Sequence, residues 1–164
     1  MEGIAVAQPA NPEASPWLGV AASAAAQSRN NIFEMSRQAE NAVIDPRDPG
    51  GFASGWRHAV AARIAILNAL PDLAAHYLAD VTDPALRGLA DPNAAGRDDR
   101  ERSVITFMDR VATQPRAVQA EEIEGLKAAG VAEADIVRLC ELNAFMSYQC
   151  RVLAGLAALK GASA

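Results

Sequence analysis

The chain has few of the residues from which most recognisable sites are built. Of its 164 residues, two are cysteine, two are histidine and 5% are aromatic. The net charge is −5 and no cluster of lysine and arginine occurs. Phosphate backbones are bound through concentrated positive charge, so we expect no nucleic-acid partner. With two histidines and no cysteine pair at ligand spacing, we also expect no metal site and no cofactor.

Long apolar runs are also absent. No stretch approaches the ~20 residues that a membrane-spanning helix needs, so no membrane partner is expected. Residues 18–26 have the composition of a signal-peptide core, but Glu2 and Glu13 precede them and no Lys or Arg does. A signal peptide needs a positively charged start, so these residues are interpreted instead as part of an amphipathic helix in a cytoplasmic protein.

The two cysteines are too far apart to form a disulfide. Cys140 and Cys150 lie ten residues apart on one predicted helix. At ~1.5 Å per residue their Cα atoms would be about 15 Å apart, beyond the ~7 Å limit for a disulfide. Both are predicted to pack as small hydrophobic core residues, and unpaired cysteines fit a reducing compartment.

Alanine, with 37 residues, supplies much of the apolar content. Alanine has the highest helix propensity, and period-two runs of β-branched residues are missing, so the chain is predicted to be all-α. Residues 1–14 are predicted to be a flexible tail, and 15–164 a single helical domain in which a helix begins at Ser15-Pro16. The further helices are predicted at about 30–43, 54–69, 72–81, 98–112, 121–129 and 132–159.

Two of these helices have an informative pattern. The first of them is predicted to turn Ile32, Phe33, Met35 and Ala39 inward, and the breaker-rich residues 45–51 separate this N-terminal helical arm from the main body. The last helix is apolar on more than one face, which predicts that a second subunit supplies part of its cover.

The C-terminal third resembles a known superfamily. The strings that carry the resemblance are residues 126–131, Asp135-Ile136-Val137 and residues 144–156, which include Arg151 and Gly155. They resemble the pattern Leu-x-x-Ala-Gly … Ile-Val … Ala-Phe-x4-Asn-Arg-x-Ala-x-Gly-Leu of the carboxymuconolactone decarboxylase and alkylhydroperoxidase D superfamily. The resemblance implies an alkylhydroperoxidase D-like helical bundle of the peroxidase-related branch, and relatives commonly form dimers, trimers or hexamers.

The same resemblance shows what this chain has lost. The catalytic core of that family resembles Glu-x11-Cys-x2-Cys-x3-His, in which a dithiol reduces peroxide and the Glu and His relay protons. Counted back from His76, the Glu and Cys positions are held by Arg57, Ala69 and Asp72. Counted from Trp56 as the Glu, the remaining positions are held by Asn68, Pro71 and Ala75. Neither register restores a thiol, so the standard mechanism is not expected.

Five residues are therefore the candidate catalytic set: His76, Arg57, Arg151, Tyr148 and Cys150. His76 is either a half-exposed helix histidine between two aspartates or a proton-transfer group. Arg57 either belongs to an amphipathic first turn or, like Arg63, pairs with a carboxylate in a small anion pocket. Cys150 occupies the position of the family Asn before Arg151, where it either packs in the core or lines a pocket with Tyr148.

Two functions follow from this reading. In the first, the chain is a divergent peroxidase-related enzyme that lacks the dithiol and keeps an oxidoreductase or acid–base reaction. In the second, it is a non-catalytic binding or scaffold subunit that assembles with itself or with a cysteine-bearing paralogue. Whether it is an enzyme at all is left open by the sequence.

Overall fold

A computed structural model describes residues 30–161. The predicted tail at 1–14 and the helix predicted to begin at Ser15 lie outside these residues. The described part contains seven α-helices and no strand: α1 Asn30–Ile44, α2 Ser54–Leu67, α3 Pro71–Ala79, α4 Pro84–Arg87, α5 Asp99–Thr113, α6 Ala120–Ala128 and α7 Glu133–Gly161. Two 3₁₀ turns, Gly88–Ala90 and Pro115–Ala117, complete it. The predicted all-α class is confirmed.

The helix boundaries follow from local sequence signals. α3 begins at Pro71, where the missing N–H of proline costs no helical hydrogen bond. The Asp98 carboxylate caps α5 by accepting from the Glu101 N–H at 2.7 Å. α6 ends at Ala128, and Gly130 just beyond it has a φ of +79°, in the left-handed region that favours glycine. The predicted ends of these helices agree with the structure to within about two residues.

α2 is the central helix of the bundle. Its ten residues from 56 to 65 are all buried, and it contacts α1, α3, α5 and α7. Ala59, Ala61, Ala62 and Ala65 are small enough to let neighbouring helices approach on several sides. The described helices include none that is both long and apolar enough to cross a membrane.

The predicted inward face of α1 is wrong. Ile32 is 46% exposed and Met35 65% exposed, Ala39 is exposed too, and only Phe33 packs against the core. The buried stripe is Ser36, Glu40 and Ile44, spaced four residues apart on one face. Two polar side chains can occupy it because their hydrogen-bond partners lie on α3 and α7.

Two buried arginines hold the loops that flank α2. Arg57 donates to the carbonyls of Val43, Pro49 and Phe52 at 2.8–2.9 Å and so fixes the loop between α1 and α2. Arg63 forms a bidentate pair with Asp109 at 2.7 Å. Its guanidinium also donates to four carbonyls of the loop before α5, those of Leu89, Asp91, Pro92 and Ala94.

The loop between α1 and α2 is also tied to α7. The Asp135 carboxylate accepts from the Gly51 N–H at 3.1 Å and from Arg138 at 3.0 Å. Arg138 reaches Asp48 on the loop at 2.6 Å. Gly50 takes φ +59° within this tight approach, a conformation that other residues rarely adopt. The end of α1 is thereby held in place beside α2.

Candidate functional site

A buried polar cluster lies where α1, α3 and α7 meet. Tyr77 of α3 is 1% exposed, Gln149 of α7 is fully buried and Glu40 of α1 is 8% exposed. The Tyr77 hydroxyl lies 2.6 Å from Glu40 Oε1 and 2.6 Å from Gln149 Oε1. Gln149 Nε2 donates to Glu40 Oε1 at 3.3 Å. Each of the three groups thus contacts the other two.

Tyr77 has one hydroxyl hydrogen for two short oxygen contacts. The carboxylate is the stronger acceptor of the two, and a bond to it is about twice as strong as a neutral one. Burial raises the pKa of Tyr77 well above its usual value, and the charge of Glu40 raises it further. Tyr77 is therefore a neutral hydrogen-bond donor, held in position by α1 and α7.

His58 and Asp45 form a second polar group beside this cluster. His58 Nε2 lies 3.2 Å and 3.3 Å from the two Asp45 carboxylate oxygens. Its ring faces that of Tyr77 edge-on, with 6.0 Å between centroids. His58 Nδ1 is buried and has no hydrogen-bond partner of normal geometry, and it is one of two such side-chain atoms in the described residues. The other is Asn143 Oδ1.

The protonation of His58 depends on two opposing effects. Burial lowers the pKa of His58, but the hydrogen bond and charge of Asp45 outweigh it, with smaller help from Asp80 and the Tyr77 backbone. The net result is a raised pKa. The same hydrogen bond lowers the pKa of Asp45. The pair is an oriented imidazole whose protonated form is favoured by Asp45, beside a neutral phenol.

Two of the predicted site residues, Arg57 and His76, lie outside this cluster. Each guanidinium nitrogen of Arg57 donates to a loop carbonyl, and burial lowers the pKa of Arg57. Arg57 thus stabilises the loop that carries Asp45. His76 is partly exposed and packs its ring against the outer side of α3, 5.2 Å from the Tyr77 ring centroid.

The other three predicted residues lie along α7. Arg151 is exposed, and Tyr148 is 39% exposed with its hydroxyl 2.8 Å from Ser36 Oγ. Cys150 is buried next to Gln149, and burial raises its pKa to about 11. The prediction that Cys140 also packs in the core is wrong, because its position on α7 faces outward. Both thiols are free.

Sequence reasoning passed over Tyr77, Glu40 and Gln149, although one signal was present. His58 and Tyr77 are 19 residues apart, the separation of the Glu and His in Glu-x11-Cys-x2-Cys-x3-His. A register that starts at His58 places Leu70 and Leu73 at the cysteine positions. Both leucines pack into the core. In this register two ionisable groups still face each other while the thiols are replaced by apolar side chains.

Metal binding finds no support in this geometry. Nowhere in residues 30–161 do three His, Cys, Asp or Glu side chains come together in a way that could hold a metal ion. The groups that do come together, a histidine, two carboxyls, a phenol and an amide, are suited to proton transfer and hydrogen bonding.

Comparison with known proteins shows the fold alone. No protein-family model matches the chain, and no curated protein matches it. A crystal structure from Silicibacter sp. TM1040, described as an uncharacterized peroxidase-related protein, superposes with a TM-score of 0.58. The two chains are 16% identical, and the match covers 76% of this chain and 67% of the other. The chain therefore shares the helical fold of a peroxidase-related protein.

Proposed function

We propose that the protein is an acid–base enzyme of the peroxidase-related fold that works without a dithiol. The observation that carries the proposal is the His58–Asp45 pair, whose inner ring nitrogen Nδ1 is buried, lacks a hydrogen bond of normal geometry and lies beside Tyr77. A buried nitrogen with no hydrogen bond of normal geometry has an energetic cost, and a proton-transfer role for His58 would account for it. The resemblance of the C-terminal third supports descent from the alkylhydroperoxidase D-like superfamily.

The residues have separate roles in this proposal. His58 Nδ1 accepts or returns a proton, and Asp45 orients the ring and stabilises the imidazolium that forms. Tyr77 donates a hydrogen bond to the oxygen that gains charge once its single hydroxyl hydrogen turns away from Glu40, and Glu40 then still accepts from Gln149 Nε2. Because Nδ1 is closed to solvent in this conformation, substrate reaches it only after the packing around it opens.

Thiol peroxidase chemistry is disfavoured by the state of the cysteines. The reactive species is the thiolate, and burial raises the pKa of both thiols, that of Cys150 to about 11. Cys140 lies on the exposed side of α7 and Cys150 on the buried side, so neither can resolve the other. Of the two enzymatic readings, acid–base chemistry is the one that the described side chains support.

The electrostatics of the cluster favour an uncharged substrate. Its ionisable groups include two carboxyls, Glu40 and Asp45, which repel anions. The guanidinium groups of Arg57 and Arg63 are taken up by loop carbonyls, so the anion pocket considered from sequence has no available cation there. A small neutral carbonyl compound fits these constraints. A proton would pass from its α-carbon to His58, leaving the electron pair on the carbonyl oxygen beside Tyr77.

The proposal is tested by solvent exchange. The protein is incubated in D₂O with a panel of small neutral ketones, lactones and aldehydes, and loss of the α-proton signal is followed by NMR. We expect acceleration by the wild-type chain and its loss in His58→Asn. His76→Asn, the same change at the other histidine, is the matched control and should retain the wild-type rate. No acceleration over buffer, or equal rates in both variants, would refute the proposal.

A second function is favoured by a different observation. Large apolar side chains are exposed on α1 and α7, namely Ile32, Met35, Val137 and Tyr148. Such exposure is typical of a binding surface, so the alternative proposal is a non-catalytic scaffold subunit that assembles with itself or with a cysteine-bearing paralogue. Co-purification from the native host tests the paralogue version, which fails if only a self-assembled particle is recovered.

A further inference from the structure

α7 carries two stripes of residues on opposite sides. The buried one packs into the protein core and includes Ile136, Leu139, Asn143, Met146 and Cys150. A second set of positions, which we call the outer seam, is exposed along its whole length: Val137, Glu141, Ala144, Tyr148, Arg151 and Gly155.

The spacing of the outer seam is that of a helix-pairing surface. Its six positions follow one another at intervals of four, three, four, three and four residues. This alternation is the heptad pattern that keeps one stripe of a helix facing a partner helix. Apart from Tyr148, whose hydroxyl bonds to Ser36, the seam residues face away from the core that the described residues form.

The outer seam is complementary to itself in antiparallel orientation. Suppose that two antiparallel copies of α7 cross at the level of Met146. Two residues then lie opposite each other when their numbers add up to 292. Glu141 then faces Arg151 of the second copy, and Arg151 faces Glu141, so both charges are matched twice.

Size is matched in the same register. Ala144 lies opposite Tyr148, and Val137 lies opposite Gly155. Each large side chain therefore meets a small one, which is the arrangement that fills space between two helices. A shift of the register by one heptad would oppose Glu141 to Ala144 or to Ala158 and would lose both the charge and the size matches.

We propose that two copies of this chain pair through antiparallel contact of their outer seams. The two-fold axis of the pair lies at the level of Met146 along α7. From residue 137 to residue 155 the seam is about 27 Å long at ~1.5 Å per residue. α1 widens the surface, because Ser36 bonds to Tyr148 and lies one turn from Ile32, whose side chain is 46% exposed. A two-fold contact uses the same patch on both copies, as this pattern does.

Charge reversal tests both the contact and its direction. Glu141→Arg leaves four positive charges and no negative one at the two charge contacts of a pair, and Arg151→Glu leaves four negative ones. Each variant alone should weaken association by on the order of tenfold or more, because like charges then face each other. Mixed together, the two variants should restore association, since both arginines of the Glu141→Arg chain then meet the glutamates of the Arg151→Glu chain.

The measurement is sedimentation velocity of the full chain at micromolar concentration, with circular dichroism to verify folding. Glu121→Arg and Arg116→Glu make the same charge changes at exposed positions off α7 and should leave association unchanged. A wild-type chain that sediments as a monomer overturns the proposal. So does a mixture that stays dissociated, because a parallel or different interface would not be rescued. Since none of these residues belongs to the His58 cluster, failure here leaves the proposed function standing.

Discussion

The Tyr77 hydroxyl on α3 lies 2.6 Å from the Glu40 carboxylate on α1, inside the bundle. Residues 37 positions apart are thereby joined by a short, charge-assisted hydrogen bond that also contacts Gln149 of α7. This bond explains how a glutamate and a glutamine are accommodated in an interior formed mainly by alanine, leucine and isoleucine.

Removal of this hydroxyl should destabilise the fold. Tyr77→Phe removes the short hydrogen bond to Glu40, whose Oε1 still accepts from Gln149 Nε2 at 3.3 Å, and we expect a loss of about 1–3 kcal/mol in the free energy of unfolding. Urea unfolding followed by circular dichroism measures it. Tyr148→Phe, the same change at a tyrosine that is 39% exposed, should cost less because water can replace the lost bond. Equal losses would contradict the assignment of Tyr77 to a buried network.

Arg57 should stabilise the fold more than a lysine at the same position can. Lysine has one charged nitrogen and cannot reach three carbonyls in the geometry of the guanidinium fork. We expect Arg57→Lys to lower the free energy of unfolding by about 2 kcal/mol or more, whereas Arg151→Lys at an exposed position should change it little. If Arg57→Lys is as stable as the wild type, the loop is held by other contacts and a ligand-binding role for Arg57 regains support.

Stability should depend on pH through His58. Its pKa is raised above 6.5, so protonated His58 stabilises the fold fully below that value, and this contribution is lost as pH rises through the folded-state pKa. Asp45 has a lowered pKa, so its contribution is lost only as pH falls through a value below 3.8. The stability difference between wild type and His58→Asn should therefore be largest below pH 6.5 and shrink as pH rises through the folded-state pKa of His58. His76→Asn serves as the control, and a difference that grows with pH would show the sign to be wrong.

The two thiols should differ sharply in reactivity. In the native protein dithiobis-nitrobenzoate should label Cys140 alone, and slowly, because burial and the charge of Glu141 raise its pKa. Cys140→Ser should abolish labelling of the native chain, and Cys150→Ser should leave it intact. Both thiols should react once urea unfolds the protein. Fast labelling of Cys150 in the native state would mean that the packing of α7 against the core opens readily.

Two glycine substitutions should have opposite signs. In Gly125→Ala the added Cβ meets no atom within 4 Å, and alanine in a helix interior should stabilise α6 by roughly 0.5–1 kcal/mol. In Gly51→Ala the Cβ would lie 2.7 Å from Asp135 Oδ2, the atom that accepts from the Gly51 N–H. Loss of that bond should cost about 1 kcal/mol. Thermal unfolding of both variants measures the sign of each stability change. A stabilised Gly51→Ala would show that Asp135 can move away at little cost.

The helices could be predicted from the sequence because their limits are local. Pro71 at a helix start, Asp98 as a cap and Gly130 with positive φ each act within one turn of their own position. The all-α class followed from composition for the same reason. None of these signals requires knowledge of which residues meet in space.

The burial of polar residues could not be predicted in this way. Ser36 faces inward because it forms a hydrogen bond with Tyr148, 112 residues away, and Glu40 because it forms one with Tyr77, 37 residues away. A pattern that counts only apolar residues assigns the inward face of α1 to Ile32 and Met35, which are exposed. Cys140 was misplaced for a related reason, since α7 has apolar residues on both sides and periodicity does not indicate which side faces the core.

Arg63 recognises the loop before α5 only through carbonyl oxygens, which every amino acid possesses. Its contacts therefore constrain how many residues the loop has and how the backbone runs, while the side chains at positions 89–94 are free to diverge as far as this arginine is concerned. Apart from Leu89 and Ala90, which pack in the core, the segment can change in composition without unfolding the bundle, whereas insertion or deletion of a single residue would misplace the acceptors together.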